Sequence, residues 1–182
     1  SGTITDASGR TLSGQTLEAF LLSIRHANPI VIGLNCSLGA EQLAPYVKEL
    51  SDLASTFVSV HPNAGLPNEF GGYDQSAKEM TDLVRPFLEN QQLNLIGACC
   101  GSTPAHIRAI SKLAKAYSPR PLPSLQKLSA YAGLEPLILR SESNFLNIGE
   151  RTNVSGSLKF ARLIREEKYE EAVSVAKDQV EG

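Results

Sequence analysis

Cys36, Cys99 and Cys100 are the only cysteines in the chain, one alone and two adjacent, and they are the residues whose type and number point most directly to chemistry. Three protein ligands with a fourth tetrahedral position left open is the arrangement of a catalytic zinc. An adjacent cysteine pair is not a standard ligand spacing, so two other readings stand beside metal binding. Free cysteines are frequently small buried apolar residues, and neighbouring ones can close a strained disulfide. Three thiols cannot all pair within one chain, which fits a reducing compartment, and the cytoplasm is the expected location.

The elements around these cysteines follow from apolar periodicity. A helix is expected around Gln15 to His26, with Leu17, Phe20, Leu21 and Ile24 on one face. Three strand-helix pairs should follow. The first strand, Ile30 to Leu34, runs into Asn35-Cys36, and its helix, near Glu41 to Ala54, turns Leu43, Val47, Leu50 and Ala54 inward. The second strand, Thr56 to Val60, leads into His61-Pro62-Asn63-Ala64-Gly65, a loop by its Pro and Gly, and then a helix burying Ala77, Met80, Val84 and Phe87. The third, Leu93 to Ala98, ends at Cys99-Cys100-Gly101. Ser102 or Thr103 should cap the next helix, with Pro104 in its first turn and Ile107, Ile110, Leu113 and Ala114 facing the sheet. Alternating strands and helices predict an α/β fold with a parallel sheet, whose sites lie at the carboxyl ends of the strands. All three cysteines fall there, so their separation in sequence is no obstacle to a shared site.

Pro119, Pro121 and Pro123 break the pattern, and residues 119–144 read as a linker. A fresh unit, 145–182, opens with apolar Phe145 to Ile148 and a Gly149-Glu150-Arg151-Thr152-Asn153 turn, and continues with helical segments from about Leu158 to Val180. A formal charge of −2, with acids and bases interspersed, leaves no basic face for nucleic acid. No apolar run approaches the roughly 20 residues of a membrane-spanning helix, so no membrane partner is expected. The chain starts at Ser1, its single methionine is Met80, and it stops just after a helical pattern. It reads as a fragment of a longer protein.

Gly33-Leu34-Asn35-Cys36 and Gly97-Ala98-Cys99-Cys100-Gly101-Ser102-Thr103-Pro104 closely resemble the zinc-binding motifs of the homocysteine S-methyltransferase barrels. Thr3-Ile4-Thr5-Asp6, His61-Pro62-Asn63-Ala64-Gly65 and Gly149-Glu150-Arg151-Thr152-Asn153-Val154 look like the long cobalamin-dependent methionine synthases in particular. The resemblance implies the C-terminal part of a (β/α)8 TIM barrel over 1–118, a linker, and the first β/α unit of a second, folate-binding TIM barrel. It implies zinc on Cys36, Cys99 and Cys100, homocysteine as substrate, methylcobalamin as immediate donor, and 5-methyltetrahydrofolate as the ultimate one. A cobalamin-binding domain of the same protein would then be a partner.

A free thiol ionises near pH 8.5, so zinc would act by generating the thiolate nucleophile at neutral pH. Asn63 is a candidate fourth ligand when substrate is absent, or else a loop former before Gly65. Asp6 is a candidate for the amino-acid head group, or a turn residue. The resemblance places Glu150, Arg151 and Asn153 against the pterin, while capping by Asn153 or Ser155 is the plainer alternative. His26 and His106 fall within helices and read as surface residues. Two rival functions remain at this stage. One is a barrel of the same family that takes its methyl group from betaine or S-methylmethionine, against which the chain beyond Pro123 argues. The other is a structural or redox domain with incidental thiols.

Overall fold

A computed structural model describes residues 1–4, 8–125, 128–146, 149 and 151–181. Asp6, Ile148 and Glu150 lie outside the described residues. The chain forms two compact units, 1–140 and 141–182.

The first unit holds the expected helix and three strand-helix pairs, in the order α1 (Leu17–Ile24), β1 (Val31–Gly39), α2 (Ala40–Leu53), β2 (Phe57–Asn63), α3 (Ala77–Glu89), β3 (Leu95–Ile96) and α4 (Pro104–Ala114). The strands are parallel and lie side by side as β1-β2-β3. Gly2 adds a parallel bridge to Leu34 on the other edge of β1. Ile32 and Leu34 of β1, with Val58 and Val60 of β2, point to the helices and are almost wholly buried against Leu43, Leu50 and Met80. The opposite face carries Gly33 and Asn35 of β1 and Ser59 and His61 of β2, since side chains alternate along a strand. On that face a Cβ at Gly33 would overlap the Ser59 side chain, and one at Gly97 would overlap the His61 ring. Only glycine lets the strands lie at this spacing.

Helix α3 starts on a reciprocal cap: Ser76 Oγ accepts from the Glu79 N–H, and Glu79 Oε2 accepts from the Ser76 N–H. Its inward face is Met80, Val84 and Phe87, as the periodicity requires. Two expectations for α4 need correction. His106, read as a surface residue, is 7% exposed, and Ile107, read as facing the sheet, is 45% exposed. Ile107 lines a groove with Ile96, Gly97 and Ile110 along the β3 side of the sheet. His106 is drawn in by hydrogen bonds. Its Nδ1 accepts from the Thr103 N–H, and its Nε2 donates to the Gln75 carbonyl, which ties the start of α4 to the loop before α3.

Within 119–144, Ala130–Ala132 (β4) and Pro136–Ile138 (β5) form an antiparallel hairpin that packs on α1. The Thr16 N–H donates to the Leu134 carbonyl, Gln15 donates to the Gly133 carbonyl, and Arg10 pairs with Glu135. A short hairpin of mixed residues carries no periodic signature, which is why its strands were not legible in sequence. Arg120, 4% exposed, holds the end of the α/β segment in place: its guanidinium donates to the carbonyls of Ser51, Ala54 and Thr56 at the C-terminal end of α2.

The second unit contains α5 (Leu158–Arg165) and α6 (Tyr169–Glu181), which share a small core of Leu163, Ala172 and Val175. Phe145 and Leu146 are not in a strand. The helix cap is Ser157, whose side chain accepts from the Phe160 N–H, rather than Asn153 or Ser155. Asn153 instead accepts from the Ser155 N–H two residues on, an Asx-type turn, and it and Arg151 are exposed.

Candidate metal centre

Strand pairing carries all three cysteines to one end of the sheet. Beyond Ile96 the third strand keeps bonding to β2, with the Gly97 N–H on the Val60 carbonyl, the Cys99 N–H on the Pro62 carbonyl at 2.7 Å, and the Ala64 N–H on the Cys100 carbonyl. Cys99 and Cys100 are thereby fixed beside the last residue of β2, Asn63. That side chain is 2% exposed, and its Oδ1 accepts from the Cys100 N–H at 3.1 Å.

Cys36 arrives from β1 by a different device. Regular alternation would put it on the same face as Ile32 and Leu34, turned toward the helices. The β1–β2 register instead breaks between Asn35 and Gly39, which pair with His61 and Asn63, so β1 spends two more residues than β2 over this interval. Cys36 and Ser37 absorb the excess in left-handed backbone, with φ of 61° and 59°. Such a bulge re-aims a side chain, and non-glycine residues adopt it only where the surroundings impose it.

The result is a triangle of sulfurs. Cys36 Sγ lies 3.3 Å from Cys100 Sγ, Cys99 Sγ lies 4.0 Å from Cys100 Sγ, and all three fall within 4.8 Å of one another. Tetrahedral zinc with Zn–S bonds of about 2.3 Å places its sulfurs about 3.8 Å apart. Adjustments of a few tenths of an ångström to about one would therefore let a single ion touch all of them. The alternatives fare worse: Cys99 and Cys100 are too far apart to be bonded, and Cys100 is exposed rather than buried as a small hydrophobe.

The electrostatics of the cluster call for a cation. The Cys36 thiol is lowered from its usual value by hydrogen bonding from Cys100 and then by backbone bonding at Ser37. Cys99 is pushed up to about 11, chiefly by burial and then by its hydrogen bonds to Cys36 and Cys100. One negative charge is accommodated on Cys36, and a second, on Cys99, is opposed by burial and by repulsion from the first. A divalent ion would remove that opposition.

Tyr73 was not legible in sequence as a neighbour of the cluster. Tyr73, from the loop between β2 and α3, packs the base of its ring against Gly101, the residue after Cys100. Its phenol is raised above the usual range by partial burial and then by the charge of Cys100. His61 is on the sheet face away from the helices, and burial lowers its imidazole below the usual value. A family model described as homocysteine S-methyltransferase matches residues 1–114, the stretch that carries this cluster.

Proposed function

The chain belongs to the homocysteine S-methyltransferase family, and from that premise we propose that Cys36, Cys99 and Cys100 bind zinc and present homocysteine to a methyl donor. The observation that carries the reading is the three-sulfur triangle at one end of a parallel sheet. When bound, zinc would hold the homocysteine sulfur as a thiolate at neutral pH and leave it nucleophilic.

The chain's own groups would do the rest. Backbone bonding at Ser37 and Cys100 supports charge on the Cys36 sulfur. Exposure at Cys100 gives substrate a way in. Three thiolates around a divalent ion leave a net charge of −1, a centre rich enough in electrons not to quench a fourth sulfur. Asn63 Oδ1, fixed by the Cys100 N–H, retains a second lone pair and is the proposed fourth ligand in the absence of homocysteine. Asp6 is proposed for the amino-acid head group.

At finer grain, we read the parallel β1-β2-β3 sheet as the last three β/α units of a (β/α)8 barrel over 1–118, followed by a linker at 119–144 and the opening of a second barrel at 145–182. The methyl donor would then be methylcobalamin, recharged from 5-methyltetrahydrofolate, with Glu150, Arg151 and Asn153 toward the pterin. What favours this over a betaine- or S-methylmethionine-dependent enzyme is the second compact unit, 141–182, beyond the matched residues. Supplying homocysteine and each donor separately to a zinc-loaded longer protein, in which residues 1–182 are completed by the remaining barrel strands, tests it. Methionine formed from methylcobalamin alone is the expected result. Methionine formed from betaine or S-methylmethionine alone would transfer the function to the rival.

A further inference from the structure

Just below the sulfurs, the sheet face turned away from the helices carries a polar rung that the metal reading leaves unused. Asn35 and His61 are register partners on β1 and β2, the last regular pair before the bulge, and Asn35 immediately precedes Cys36. The His61 ring leans over the third strand: a Cβ at Gly97 would meet its Cδ2 and Nε2. Ladder bonding to β2 continues from Gly97 to Cys99, so alternation sets Cys99 on the same face, two residues and about 7 Å farther along. The rung therefore lies one step beneath the sulfur triangle.

Both side chains are half-buried, and both keep polar atoms in reserve. Asn35 Oδ1 accepts from Ser1 Oγ at 2.5 Å, which leaves the two N–H donors of Nδ2 turned elsewhere. Among the described residues, no hydrogen-bond partner engages Nδ2 or either ring nitrogen of His61. Half-buried polar groups without partners cost stability unless a ligand uses them. A neutral imidazole offers an acceptor nitrogen and the Asn35 amide offers donors, while an α-amino acid presents the complements, an ammonium and a carboxylate. The two-carbon chain between the sulfur and the α-carbon of homocysteine spans about one residue's rise of strand, the step from the triangle toward this rung.

We propose that Asn35 and His61 orient homocysteine by its head group, Asn35 Nδ2 donating to the carboxylate and a His61 ring nitrogen accepting from the ammonium, alongside the role given to Asp6. The inference rests on the homocysteine reading above and concerns the substrate, since neither residue belongs to the metal's ligand set.

Steady-state kinetics of the zinc-loaded longer protein, with whichever donor supports turnover, tests it on homocysteine and two truncated thiols. One is 4-mercaptobutyrate, which lacks the ammonium, and the other is 3-aminopropanethiol, which lacks the carboxylate. His61→Phe keeps a ring over Gly97 and deletes the acceptor. KM for homocysteine and 3-aminopropanethiol should rise about tenfold to a hundredfold with kcat little changed, and KM for 4-mercaptobutyrate should stay where it was. Asn35→Ala should give the mirror pattern, raising KM for homocysteine and 4-mercaptobutyrate and sparing 3-aminopropanethiol. His61→Gln, which restores an acceptor, should recover most of the loss. Equal rises for all three thiols in His61→Phe would mean that the ring only supports the fold, and no rise for homocysteine would mean that the substrate does not use it. Either result overturns the proposal, and the Asn35 arm decides it if the Phe variant does not fold. A wild-type protein that methylates none of the thiols sinks the homocysteine reading itself, whereas one that methylates homocysteine and is unaffected by both substitutions sinks this inference alone.

Discussion

The Cys36 sulfur reaches the other two because Cys36 and Ser37 both take left-handed backbone in the middle of a strand. A β-branched residue fits that conformation worst, so Ser37→Val is expected to cost about 1–2 kcal/mol of stability and to weaken metal binding. Ser37→Gly should be tolerated. Urea unfolding midpoints and a chelator competition read both effects. The thiols also set a pH dependence. Cys99 moves from 9.0 to about 11 in the folded, metal-free protein, so its contribution to stability is present below 9.0 and is lost as pH rises through about 11, the unfolded chain giving up this proton first. Zinc must displace the same proton, and its affinity should therefore increase with pH by about tenfold per unit for each proton released. A zinc affinity that does not change between about pH 6.5 and 8.5, where thiols are mostly protonated, would contradict this picture.

Periodicity identified the helices and the order of the α/β segment, because amphipathic faces such as Met80, Val84 and Phe87 write a clear pattern. It also put Cys99 and Cys100 at a strand end. What it missed depends on long-range bonding. The alternation of side chains along β1 gives no mark of the bulge at Cys36, nothing local says that His106 is buried through the Gln75 carbonyl, and nothing marks Arg120 as a cap. Arg120 offers the sharpest test among the elements, since its guanidinium satisfies three carbonyls around the end of α2. Arg120→Ala leaves them without that partner and should destabilise the first unit by about 2–4 kcal/mol, read as a lower urea midpoint. Lysine, a point donor without the planar fork, should recover only part of the loss.

For the whole molecule, the three-stranded sheet has an apolar groove along β3, where Ile107 is half exposed, and Leu95 is 46% exposed. Both fit a sheet continued by further strands, which is how the barrel reading would complete the first unit. Residues 1–182 alone should therefore show no methyl transfer from methylcobalamin to homocysteine. Turnover comparable with that of an intact two-barrel enzyme would overturn the barrel reading. Among the described residues, no helix is long and apolar enough to cross a membrane. The most direct measurement is the zinc content of purified protein, with and without Cys36→Ser. One zinc per chain, falling to near zero in the variant, is the expected result; a protein that carries no zinc, or a variant that keeps it all, would contradict the shared three-sulfur site.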